Sequence, residues 1–155
     1  MTEKFEYGIA TIDELQRVVE IKMDMFREIG LADLLVPNAE SVILEDYQKL
    51  YLEKNAQHFI ARTNSLIVAS AGAFMKSDLP YRYFEPASYG FIGDVYTEPS
   101  FRGCGIATKL NIEAIAWLRS KGVKSVRLLA SDVGRPIYKR LGFSTSEEMI
   151  LTINS

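Results

Sequence analysis

Between Tyr89 and Lys121 a strand, a glycine-rich turn and a helix follow one another, and that succession constrains this chain most tightly. Tyr89 to Thr97 reads as a strand running into Pro99. Thr108 to Lys121 reads as an amphipathic helix, with Ile112, Ile115 and Leu118 on one side and Gly122 closing it. Arg102-Gly103-Cys104-Gly105-Ile106-Ala107 stands between them. A helix entered from so small a turn leaves backbone N–H groups pointing outward without partners, and its dipole adds about half a positive charge there. Gly103 and Gly105 carry no side chain that would keep a ligand away from those donors. Arg102, just upstream, is a charged clamp for an anion. Together these residues make a phosphate cradle.

The rest of the chain supplies a scaffold of alternating type. Phe5 to Ile12 alternates as a strand. Thr11 and Glu14 form a capping box before a helix in which Leu15, Val18, Val19, Lys22, Met23 and Phe26 recur at helical spacing, and which stops at Gly30. After Pro37, Asn38 or Ser41 caps a second helix running to about Lys54. His58 to Arg62 and Leu66 to Met75 form a hairpin joined at Thr63-Asn64-Ser65. Lys76 to Tyr89, with Pro80, Pro86 and no clear period, reads as a loop of functional length. Val123 to Ala130 is a strand, and Pro136 opens a short helix ended by Leu141 and Gly142. Phe143 to Ser146 and Met149 to Ile153 read as a closing pair of strands. No repeat, linker or low-complexity segment interrupts residues 1–155, so one α/β domain is expected.

Charge and composition exclude several functions. A net charge of −2 and a pI near 5.5 do not advertise a nucleic-acid partner. One cysteine and one histidine rule out a disulfide framework and leave too few ligands for a structural zinc site, so no metal is expected. No stretch approaches the roughly 18 apolar residues that span a bilayer. Met-Thr-Glu-Lys-Phe-Glu lacks a basic region followed by an apolar run, so a cytoplasmic chain without a membrane partner is expected.

Two motifs name a family. Tyr96-Thr97-Glu98-Pro99-Ser100-Phe101-Arg102-Gly103-Cys104-Gly105-Ile106-Ala107-Thr108 closely resembles the acetyl-CoA-binding motif of the GNAT superfamily of N-acetyltransferases, with Arg102, Gly105 and Ala107 in its defining positions. Tyr138-Lys139-Arg140-Leu141-Gly142-Phe143 resembles that superfamily's second signature, and the two occur in the right order with a helix and a strand between them. The resemblance implies a twisted mixed β-sheet flanked by helices on both faces, with acetyl-CoA as co-substrate. It implies that backbone amides from Gly103 through Cys104, Gly105, Ile106 and Ala107 to Thr108 hold the pyrophosphate, and that Val95, Tyr96 and Thr97 pair with the pantetheine arm. Ser131 stands where the superfamily often has Asn and retains a hydroxyl for the cofactor. A dinucleotide loop fits less well: Thr108 fills the third small position, and no acidic residue lies about twenty positions on.

The chemistry requires a proton donor and a proton acceptor. A phenol, with pKa near 10, is protonated at neutral pH, so Tyr138 can hand a proton to the departing thiolate; a packed core tyrosine is the competing reading. The attacking amine must shed a proton, for which Asp94 and Glu98 are the nearest carboxylates and a water chain serves equally well. With His58 distant in sequence, a Cys104–His58 nucleophile is disfavoured and direct attack by the amine preferred. His58 itself reads as strand packing.

Acceptor choice falls to Leu31–Ala39 and to the segment holding Tyr81, Tyr83, Phe84 and Glu85, where aromatics beside a carboxylate suit a cationic amine. Those residues fit a lid or a homodimer contact equally well. The expected activity is acetyl transfer to a primary amine of a small molecule. A protein or peptide N-acetyltransferase and a non-catalytic acyl-CoA sensor are the alternatives.

Overall fold

Two consecutive residues with left-handed backbone, Asn64 (φ 49°) and Ser65 (φ 65°), fold the middle of the chain back on itself. This is the tight turn whose twist matches paired strands, and it joins β2 (Ala56–Thr63) to β3 (Leu66–Ser77) as the sequence suggests. In this computed structural model, which describes residues 4–78 and 87–153, that hairpin is the centre of a five-stranded sheet of order β1-β2-β3-β4-β5. β1 (Glu6–Ile9) and β4 (Ser88–Thr97) flank it antiparallel, and β5 (Val126–Leu128) adds parallel to β4, so the sheet is mixed. The parallel step needs a crossover, which α3 (Ile106–Ser120) supplies.

Neighbouring residues of β2 show how the two faces are covered. Phe59 and Ala61 point to one face and meet Ile106, Leu110, Ala114 and Leu118 of α3. Ile60 points to the other, under α1 (Leu15–Glu28) and α2 (Ala39–Leu52), where Leu15, Val18, Val19 and Ile21 bury their side chains. Helices therefore cover both faces of an α/β sheet, as expected. Close approach sets one glycine: a Cβ at Gly90 would lie 2.7 Å from Leu118, so β4 meets α3 through a residue without a side chain.

The Thr11–Glu14 capping box forms, with the Glu14 carboxylate accepting the Thr11 backbone N–H at 3.0 Å, but it caps a 3-10 turn, Ile12–Glu14, that runs directly into α1. Four expectations need correction. α3 begins at Ile106 rather than Thr108, because Gly105 caps it. Its buried stripe runs through Ile106, Leu110, Ala114 and Leu118, every fourth residue, which turns Ile112 outward at 52% exposure. β5 is three residues long instead of eight, pairing only with Gly90–Ile92. The closing strands at 143–146 and 149–153 do not form: among the described residues no ladder partner lies alongside, and Met149, Ile150, Leu151 and Ile153 stand 80–93% exposed. Tyr81, Tyr83, Phe84 and Glu85 lie outside the described residues.

Candidate active site

Gly103 (φ 81°) and Gly105 (φ 76°) both adopt the left-handed backbone that glycine tolerates best, and a Cβ at either would meet nothing within 4 Å. The turn is therefore bent by its glycines and opens onto free space. The first helical hydrogen bond runs from the Lys109 N–H to the Gly105 carbonyl at 3.2 Å. The N–H groups of Ile106, Ala107 and Thr108 are thus not consumed within α3 and face the N-terminal end of its dipole. Cys104 is exposed on the turn as a free thiol.

Arg102 does not stand free beside this turn. Its Nη1 and Nη2 donate to the two carboxylate oxygens of Glu28, at 2.6 and 2.7 Å, and its Nε donates to the Thr97 carbonyl at 2.8 Å. Hydrogen bonds from Arg102 and Tyr96 lower the Glu28 pKa to about 2. Burial and the Glu28 contact push the Tyr96 phenol up to about 12. The clamp foreseen for an anion is therefore closed on the last residue of α1, and Tyr96, Thr97, Arg102 and Glu28 form one cluster at the end of β4.

β4 is open where the cluster begins. Its pairing with β5 ends at Ile92, so among the described residues no strand pairs with Val95, Tyr96 and Thr97 on that side. On the other side a bulge interrupts the ladder: Gly72 pairs with Gly93 and Ser70 with Tyr96, leaving Asp94 and Val95 opposite Ala71 alone. Val95 packs into the α3-side core.

Tyr138, on α4 (Arg135–Arg140), lines a cleft of about 770 Å³ together with Leu128, Ala130 and Phe143. Its ring meets Phe143 edge-on at 5.9 Å, and burial raises its pKa. Ser131 is a local cap whose Oγ accepts the Gly134 N–H at 3.1 Å, leaving its own O–H available.

Asp94 is far from the open carboxylate that a base would require. It is 6% exposed and accepts hydrogen bonds from Lys22 Nζ, the Tyr47 hydroxyl and His58 Nε2. Burial drives its carboxyl up, but the His58 hydrogen bond and the Lys22 charge outweigh this and hold it well below the usual carboxylate range. Glu98 is likewise committed, to Arg17 at 2.6 Å. Sequence reading missed the partners of Asp94. A histidine inside an apolar strand, with an aspartate inside another, was the only local signal.

The acetyltransferase (GNAT) family model matches residues 15–143. An aminoglycoside N(6')-acetyltransferase type 1 from Acinetobacter genomosp. 13 is 24% identical over 128 residues, covering 79% of this chain and 86% of that protein. A glucosamine 6-phosphate N-acetyltransferase from Trypanosoma brucei brucei is 38% identical over 61 residues, 39% of this chain and 42% of that protein. A crystal structure, with acetyl-CoA, of a predicted acetyltransferase from Clostridium acetobutylicum superposes with a TM-score of 0.87 at 25% identity, covering 97% of this chain and 96% of that one.

Proposed function

The chain belongs to the acetyltransferase (GNAT) family and is an acetyl-CoA-dependent enzyme, and from that premise we propose that it acetylates a primary amine of a small molecule. The observation that carries the site reading is the open edge of β4 beyond Ile92, set directly before a glycine turn whose amides face free space. Amides 103–108 take the pyrophosphate, the edge at Val95–Thr97 pairs with the pantetheine arm, and Ser131 adds a hydroxyl. The small-molecule acceptor is supported by two relatives whose names specify an aminoglycoside and an amino-sugar phosphate.

In the proposed reaction the neutral amine attacks the thioester carbonyl, forming the C–N bond. Collapse of the tetrahedral intermediate breaks the C–S bond, and Tyr138 passes its phenolic proton to the leaving thiolate. With Asp94 and Glu98 both held by cations, the amine's proton leaves through water.

Thiol release from acetyl-CoA across a panel of amino sugars, aminoglycosides, polyamines and peptide amines tests the reading. Turnover with at least one small amine well above the peptides is expected. Turnover confined to peptides would move the acceptor to proteins, and tight CoA binding without release for any amine would make the chain a sensor. A second expectation concerns Glu28→Gln. Removing a carboxylate that competes for Arg102 should tighten acetyl-CoA binding about threefold, the scale of one screened surface charge. Isothermal titration at low salt reads it, and an unchanged or weaker affinity would show that Arg102 has no share in holding the cofactor.

A further inference from the structure

Asp94 has a left-handed backbone, φ 54°, inside a strand, a conformation that costs most side chains and that glycine, asparagine and aspartate tolerate best. It persists because both ends of the residue are pinned. Ser70 Oγ on β3 donates to the Asp94 carbonyl at 2.8 Å, while the carboxylate takes donors from three further elements: Lys22 on α1, Tyr47 on α2 and His58 on β2. Lys22, at the edge of the cluster, brings the compensating charge and lies over the Tyr47 ring, 5.9 Å from its centroid.

The direction of the His58 hydrogen bond is set by Asp94. A carboxylate held below its usual range only accepts, so His58 Nε2 carries a proton and donates it to Asp94 at 2.8 Å. On the other side of the ring the Tyr51 oxygen lies 2.9 Å from Nδ1 and accepts the His58 backbone N–H at 2.7 Å. Room for this arrangement is made in the strand between them: a Cβ at Gly72 would lie 2.8 Å from His58 Nε2. His58 is wholly buried, so this arrangement lies inside the protein and not on a surface that meets solvent.

We propose that His58, with Lys22 and Tyr47, is a positioning residue for the acetyl-transfer reaction: through Asp94 it holds the β4 bulge, and so keeps the edge Val95–Thr97 presented to the cofactor's arm. The proposal rests on the reading that this edge receives acetyl-CoA. It assigns Asp94 to shaping the strand and away from proton abstraction. Buried polar clusters of this kind contribute little net stability compared with apolar packing, and conformational specificity is the property they can supply.

The test asks whether backbone conformation, not the carboxylate, is what acetyl-CoA binding needs. Asp94→Gly and Asp94→Asn tolerate a left-handed backbone, whereas Asp94→Ala does not. Affinity measured by isothermal titration on the full chain should stay near wild type in the first two and fall about tenfold in the third, the scale of relaxing one left-handed residue. His58→Gln, whose amide can still donate to Asp94, should keep affinity, and His58→Phe should lose it. In the Asp94→Gly background His58→Phe should cost nothing further. Equal losses in the glycine and alanine variants, or a full His58→Phe loss in the glycine background, would overturn the proposal. Thermal unfolding of every variant separates a general loss of stability, which would lower all midpoints without this split in affinity. Should Asp94→Gly not fold, the asparagine and alanine pair decides by itself. Acetyl-CoA binding that survives a carboxylate placed on the glycine turn would instead defeat the underlying site reading, whatever the Asp94 series shows.

Discussion

Gly105→Glu is expected to abolish acetyl-CoA binding while leaving the protein folded. Position 105 has φ 76°, so any side chain there carries a conformational cost of about 1–2 kcal/mol. That cost is tolerable for a domain of this size, and a Cβ at 105 would touch nothing within 4 Å, so the core is undisturbed. The new carboxylate would project into the space that the N–H groups of Ile106, Ala107 and Thr108 face, satisfying them intramolecularly and repelling the pyrophosphate. Gly105→Ala separates the two causes: strain alone should weaken binding about tenfold, whereas the glutamate should weaken it beyond about a hundredfold. Isothermal titration with acetyl-CoA measures both, and circular dichroism checks the fold. An unchanged dissociation constant in the glutamate variant would remove the turn from the cofactor site.

The turn could be read from sequence because everything that makes it is local. Two glycines, a following helix and an upstream strand lie within about thirty consecutive residues, and left-handed backbone at a glycine needs no distant partner. The β2–β3 turn at Asn64-Ser65 was legible for the same reason. What could not be read is what depends on pairing across the chain. Arg102 looked like a free clamp because Glu28 is 74 residues away in sequence. Asp94 reads as an available proton acceptor because Lys22, Tyr47 and His58 are 72, 47 and 36 residues distant. Met149 to Ile153 has the composition of a strand, yet a strand exists only where a ladder receives it, and composition cannot supply the partner. The buried face of α3 runs through every fourth residue, Ile106, Leu110, Ala114 and Leu118, and the small Ala114 hides that period, so the bulkier Ile112 reads as part of the face although it stands exposed.

Tyr138→Phe is expected to lower kcat by about a hundredfold or more with acetyl-CoA affinity unchanged, the range general acid catalysis covers. The substitution removes one oxygen and keeps the ring, so the edge contact with Phe143 and the close approach of Gly134, where a Cβ would lie 2.9 Å from the Tyr138 ring, both survive. Stability should therefore change by less than about 1 kcal/mol, as for most substitutions that leave packing intact. A phenol that donates its proton only as the C–S bond breaks stabilises the transition state and not the bound thioester, which puts the loss in kcat and not in KM for acetyl-CoA. The pH profile gives an independent readout. Burial raises the Tyr138 pKa from its ordinary value near 10, so the acid stays protonated throughout the range in which the acceptor amine loses its proton. Wild-type kcat/KM for the amine should then climb with pH as free amine accumulates and show no fall from this group below about pH 10. In the phenylalanine variant the thiolate must leave without an acid, so a more acidic thiol suffers less: replacing the acetyl-CoA thioester by one with a better leaving group should restore part of the rate. Wild-type kcat in Tyr138→Phe, or a loss that no leaving group relieves, would take the proton donor elsewhere.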